Sequence, residues 1–101
     1  MRIIKESRLK EYMQEHPQAA PSLTAWMRET RLADWKTLAD VRQSFRSADI
    51  AGNLTVFNIK GNDFRLITFI DYKKHLVFIR AFRTHAEYTK EDWKHDPWYR
   101  G

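Results

Sequence analysis

Apolar residues recur at helical spacing through the first half of this chain and at strand spacing through the second, with the change near Leu54. A chain written this way has to pack a helical layer against a sheet, because neither half can cover its own apolar side. At 101 residues there is material for one such core and not for two.

In the first half, Ile3-Ile4 reads as a short strand. Ser7 is the expected N-cap of a first helix, with Leu9, Tyr12, Met13 and His16 following at helical spacing. Pro17 ends it, since proline has no N–H for an i→i−4 bond. A second helix starts near Ala20-Pro21-Ser22, and its stripe of Leu23, Trp26, Met27 and Thr30 is read as core. Trp35-Lys36-Thr37 leads into a short third helix, capped by Thr37 with Asp40 in its first turn and Leu38, Val41 and Phe45 on one side. Ala51-Gly52-Asn53 is a turn.

Thr55–Ile59 then forms a strand, Gly61-Asn62 a turn and Phe64–Asp71 a second strand. Tyr72-Lys73-Lys74 makes a polar tip before a third strand over His75–Arg83. Thr89 with Asp92 is expected to cap a short helix carrying Trp93, ended by Asp96-Pro97, with 94–101 a flexible tail. The expectation is one α+β domain over residues 1–101, in the order β-α-α-(α)-β-β-β-(α). Its helices pack on one face of a small antiparallel sheet, leaving the other face for binding.

Several function classes drop out. There is no cysteine, which removes disulfide frameworks, Cys-ligated metals and thiol nucleophiles, and suits a reducing cytoplasm. The longest apolar run, Leu76–Ile79, is far short of a membrane span, and Met1–Glu6 lacks the apolar stretch of a secretory signal. His16, His75, His85 and His95 show no metal-ligand spacing, and no Gly-rich phosphate loop or nucleophile elbow is present. No metal or cofactor is expected. His95-Asp96 is read as a solvent-exposed pair.

The net charge of +5 points weakly to a polyanionic partner. Its distribution says more. Residues 60–83 hold Lys60, Arg65, Lys73, Lys74, Arg80 and Arg83 against only Asp63 and Asp71. By alternation, Arg65, Ile67, Phe69 and Asp71 share one face of their strand. On the next strand Leu76, Phe78, Arg80 and Phe82 share a face, opposite Val77, Ile79, Ala81 and Arg83. Arg65 at a strand start is either a ligand for phosphate or a surface charge paired with Asp63 or Asp71.

Arg83-Thr84-His85-Ala86-Glu87-Tyr88 leaves the last strand, where functional side chains concentrate. RNA cleavage without a metal needs a base for the 2′-hydroxyl, cations for the charge building on phosphorus, and an acid for the 5′-oxygen. His85 and Tyr88 are candidates for proton transfer. Lys60, Arg65 and Arg83 are candidates for phosphate, with Arg80, Lys73 and Lys74 as further basic contacts, and Glu87 is the only nearby carboxylate. The plainer reading is a polar turn, with His85 capping backbone groups and Tyr88 stapling the last helix.

The run Val56–Leu66, then Ile79-Arg80, then Thr84-His85-Ala86-Glu87-Tyr88, resembles the HigB toxins of bacterial type II toxin–antitoxin systems, of the RelE-like superfamily. Trp35-Lys36-Thr37, Asp40-Val41 and His16-Pro17-Gln18-Ala19 fit the same pattern, which runs from about residue 1 to about residue 93. The resemblance implies a RelE-like fold and a metal-independent mRNA interferase that cuts messages on the ribosome. A HigA antitoxin with a helix-turn-helix domain would neutralise it. It also implies that Arg65 stabilises the phosphate, that His85 and Tyr88 act in proton transfer and base stacking, and that Lys60 and Arg83 hold backbone phosphate. Asn58 and Asn62 are read as fixing the hairpin. Lys60 and Arg83 depart from the pattern, standing where relatives often carry a small residue. The alternatives are a gyrase inhibitor of the same architecture, or a non-catalytic RNA-binding or antitoxin-docking module.

Overall fold

A computed structural model describes residues 1–101. β1 (Arg2–Ile4) leads into α1 (Glu6–Glu15), a 3-10 turn at Pro17–Ala19, α2 (Ala20–Leu32) and α3 (Leu38–Ser44). Four strands follow, β2 (Asp49–Ala51), β3 (Leu54–Ile59), β4 (Phe64–Asp71) and β5 (Leu76–Thr84). The chain closes with α4 (His85–Thr89) and a 3-10 turn at Asp92–His95. No helix is long and apolar enough to cross a membrane.

The helix limits follow from local chemistry. α1 stops just before His16-Pro17, and Pro21 sits in the first turn of α2, where no N–H is required. Thr37 caps α3, its hydroxyl accepting from the Asp40 N–H at 3.3 Å. Two expected caps differ. Lys5, not Ser7, precedes α1, which has no side-chain cap. Near the C-terminus Thr84, not Thr89, is the cap: its hydroxyl accepts from the Glu87 N–H while the Glu87 carboxylate accepts from the Thr84 N–H. This capping box starts α4 five residues earlier than expected, and Trp93 falls in the separate 3-10 turn.

The sheet is mixed rather than purely antiparallel. Its order is β1-β5-β4-β3-β2, with β1 parallel to β5 and the other pairs antiparallel. The α1–α2–α3 segment carries the chain from β1 at one edge to β2 at the other, and the β2–β3–β4–β5 meander then brings it back beside β1. β2, absent from the expected order, pairs with β3 through the tight Ala51-Gly52-Asn53 turn. Gly52 has φ +59°, and an added Cβ would lie 2.2 Å from the Arg100 carbonyl oxygen. This is a position only glycine fills.

Alternation on β5 is reset by a bulge. Ile67 pairs with Ala81 but Thr68 pairs with Ile79, so Arg80 is left without a partner. Val77, Ile79 and Phe82 therefore all lie in the core under the helices, and the expected grouping of Phe82 with Phe78 and Arg80 fails. The Arg8 guanidinium of α1 donates to the Ile79 and Arg80 carbonyls at the bulge, 3.0 Å each.

The main core joins Leu9, Leu23, Trp26, Met27, Trp35 and Val41 of the helical side to Phe57, Ile59, Leu66 and Ile79 of the sheet. The opposite face is not bare. Leu54, Val56, Ile67, Ala81 and Trp93 form a second buried cluster, with Phe69, Tyr88 and Tyr99 packed against it. This is why both parities of the strands carry apolar residues.

The segment expected to be a flexible tail covers part of this second face. The Arg80 guanidinium donates to both Asp96 carboxylate oxygens at 2.9 and 2.8 Å, so Asp96 is an ion-pair partner rather than a solvent-exposed group. The Asn53 amide donates to the Trp98 carbonyl, and the Arg100 N–H donates to the Asn53 side-chain oxygen. The bond from Arg80 holds the Asp96 carboxyl below the ordinary aspartate value. A depressed carboxylate stabilises the fold fully above its unfolded pKa and loses that contribution as pH falls through its folded one. Acid is therefore expected to release the 96–101 segment below about pH 4, read by the fluorescence of the exposed Trp98. Glu6 and Glu87 are also depressed. Asp96→Asn separates them, because it should release the segment at neutral pH at a cost of about 1–3 kcal/mol. An acid transition unchanged in that variant would assign the pH dependence to the other carboxylates.

Candidate functional site

Arg65 is the second residue of β4, between Asn58 of β3 and Arg83 of β5 in register. Its side chain lies on the second face, level with Ile67, and only 9% of the residue is exposed. The guanidinium is held on several sides. Nη1 donates to the Asn62 carbonyl at 3.0 Å and the Phe64 carbonyl at 3.1 Å. Nη2 donates to the Asn62 side-chain oxygen at 2.6 Å and to Nδ1 of His85 at 3.0 Å. Four of its five N–H groups are thereby engaged, which leaves Nε–H. The expected alternative of a pair with Asp63 or Asp71 does not form. Asp63 pairs with Lys60 at 3.4 Å, and the Asp71 carboxylate accepts from the Lys74 N–H.

His85 opens α4. Its backbone N–H donates to the Asp63 carbonyl at 2.9 Å, tying the helix to the β3–β4 turn. A guanidinium only donates, so Nδ1 accepts and the proton of the neutral ring sits on Nε2. The exposed ring borders an open cleft of about 490 Å³ lined by Gln18, Lys60, Asn62, Asp63, Phe64 and Thr84, among others.

Tyr88 lies one turn further along α4. The Arg65 guanidinium carbon is 5.6 Å from its ring centroid. Trp93 stacks against it at 5.1 Å and 5°, so Tyr88 has at most one face for a base. Burial pushes the phenol pKa up, with the Asp49 charge adding to it and Arg65 opposing. The phenol therefore stays protonated at neutral pH and acts as a donor. Glu87 is spent on the Thr84 cap and is held ionised there, so it is not a free base.

The structure thus groups guanidinium, imidazole and phenol around Arg65, with Lys60 on the rim of the cleft. Arg83 is the cross-strand neighbour of Arg65, its Nε 3.6 Å from an Asp92 carboxylate oxygen. Arg80 is elsewhere, locked to Asp96 and stacked 4.1 Å from the Trp98 ring centroid. Lys73 and Lys74 are at the other end of β4, eight residues long, or about 25 Å away. They cannot share a cleft with Arg65. Nowhere do three or more His, Asp or Glu side chains converge to hold an ion.

Two contributors were not legible as site residues. Asn62, expected only to fix the hairpin, is the main anchor of Arg65, and Gln18 reaches the cleft from the 3-10 turn after α1. Turn residues follow no period, so no pattern marks them.

Comparison with known proteins bears on the family of the chain. A family model described as the RelE-like toxic component of a toxin–antitoxin system, the HigB toxin family, matches residues 19–91. The chain is also 27% identical over 93 residues to an mRNA interferase HigB of Escherichia coli O6:H1, across 89% of this chain and 90% of that protein.

Proposed function

This chain belongs to the HigB family of RelE-like toxins of toxin–antitoxin systems, and from that premise we propose that it is an endoribonuclease that cleaves messenger RNA and halts translation. The observation that carries the reading is the 3.0 Å contact between a buried guanidinium and an imidazole, with a protonated phenol beside them.

Two hydrogens of Arg65 are available to a scissile phosphate: Nε–H, and the Nη2–H now directed at His85. When the phosphate takes the second, Nδ1 of His85 is released. The freed imidazole accepts the proton of the 2′-hydroxyl, whose oxygen attacks the adjacent phosphorus. Arg65 holds the charge that builds on the phosphoryl oxygens, and such preorganised donors are worth about 10²–10³ in rate. The Tyr88 phenol gives its proton to the departing 5′-oxygen, leaving a 2′,3′-cyclic phosphate and a 5′-hydroxyl. Lys60 and Arg83 hold flanking phosphates. Arg80 stays with Asp96, and Lys73 and Lys74, far from the reacting groups, are contacts for ribosomal RNA. No resident metal or cofactor takes part. The protein acts on ribosome-bound messages in the cytoplasm and is restrained by a HigA-type helix-turn-helix antitoxin.

The test is to induce the protein without antitoxin and map new 5′ ends in cellular messages. Wild type should arrest growth and cut messages. The His85→Ala, Tyr88→Ala double variant should do neither while melting cooperatively. A folded double variant that still cuts would refute the assigned roles, and DNA damage with intact messages would refute the ribonuclease reading.

A further inference from the structure

Trp26, Trp35 and Trp93 are 1%, 2% and 4% exposed, whereas Trp98 is 37% exposed, in a segment beyond the residues matched by the family. It is held in place. Its ring lies over the Arg80 guanidinium at 4.1 Å and packs against Phe78 at 4.9 Å and Phe69 at 5.5 Å between centroids. Asp96 fixes Arg80 from below through both oxygens and accepts the Trp98 N–H at 2.9 Å. Trp98 also borders an open cleft of about 450 Å³ in which, with Arg80 neutralised by Asp96, Lys5 and Arg8 face the one carboxylate Glu11.

A rigid indole with an accessible surface beside clustered cations is the arrangement that binds single-stranded nucleic acid, the ring stacking on a base and the cations following the backbone. Phe69 is four residues from Arg65 on the same face of β4, about 13 Å along the strand. A few extended nucleotides cover that span. We infer that Trp98 is the stacking platform of a second RNA subsite, taking a base a few nucleotides from the scissile phosphate, with Lys5 and Arg8 holding the phosphate next to it. This rests on the ribonuclease reading for the identity of the ligand. The excess of one positive charge and the aromatic stacking surface favour RNA over an apolar protein partner.

The experiment uses a hexaribonucleotide and a trinucleotide, both 2′-O-methylated so that neither is cut. Because the other three tryptophans are buried, quenching of tryptophan emission reports stacking on Trp98. The hexamer should quench wild type and bind about tenfold tighter than the trimer. Trp98→Leu keeps the apolar packing on Phe69 and Phe78. It should abolish the quench and lower hexamer affinity about tenfold to that of the trimer, while Trp98→Tyr restores the affinity. Hexamer affinity unchanged in Trp98→Leu, or equal for the two oligonucleotides in wild type, would overturn the subsite. Message mapping separates the two readings. Normal cleavage with Trp98-independent binding refutes the subsite alone, and Trp98-dependent binding by a protein that leaves messages intact refutes the cleavage alone.

Discussion

Replacing Arg65 with lysine is expected to reduce message cleavage about 100- to 1,000-fold, although the charge is kept. The four hydrogen bonds of the guanidinium go to three different residues in directions set by its plane. An ammonium has three donors on a flexible stem and cannot hold the β3–β4 turn, His85 and a phosphate together. Lysine therefore removes the orientation of the imidazole as well as the stabilisation of the phosphate. The turn loses donors too, so a drop in stability of about 1–3 kcal/mol accompanies the change, and cleavage has to be compared at a temperature where both proteins are folded. Near-normal cleavage by a folded Arg65→Lys variant would mean that charge alone suffices and that the fork geometry around Asn62 is architectural.

The second large effect is on stability. Phe57 is the hub of the main core, with ring centroids 5.3 Å from Trp26, 6.1 Å from Trp35 and 5.3 Å from Phe45. Phe57→Ala is expected to cost about 3–5 kcal/mol, from lost transfer free energy and from a cavity walled by two indoles that cannot collapse into it. Against a total of about 5–15 kcal/mol for a domain this size, that is enough to leave part of the population unfolded at growth temperature. Calorimetry should show a fall in Tm on the order of 15–30 °C. A loss of only a few degrees would show that Trp26 and Trp35 repack into the space. The same variant should lose toxicity with its site residues intact, which separates loss of fold from loss of chemistry.

The capping box shows what was legible and how it was misplaced. Thr84 and Glu87 sit at capping-box spacing, yet so do Thr89 and Asp92, which cap nothing. The choice was made by β5, whose last residues place Thr84 where the chain leaves the sheet and where His85 can bond to the β3–β4 turn. Likewise β5 alternates in sequence, but the bulge at Arg80 inverts the second half of it, and only the pairing with β4 reveals that.

The family resemblance was already carried by local strings of residues, and so were the α+β class, the starts of α2 and α3, the limits of β4, and the candidacy of Arg65, His85 and Tyr88. Those features depend on neighbours within a few positions, through period, cap and turn chemistry, and a linear reading reaches them. The parallel docking of β1 on β5, the covering of the second face by residues 93–100 and the diversion of Arg80 to Asp96 were settled by the tertiary structure. So were the removal of Lys73 and Lys74 from the site and the anchoring of Arg65 by Asn62. Each of these depends on which distant surfaces meet when apolar area is buried, or on a turn with no period, and neither quantity is written in the order of residues along the chain.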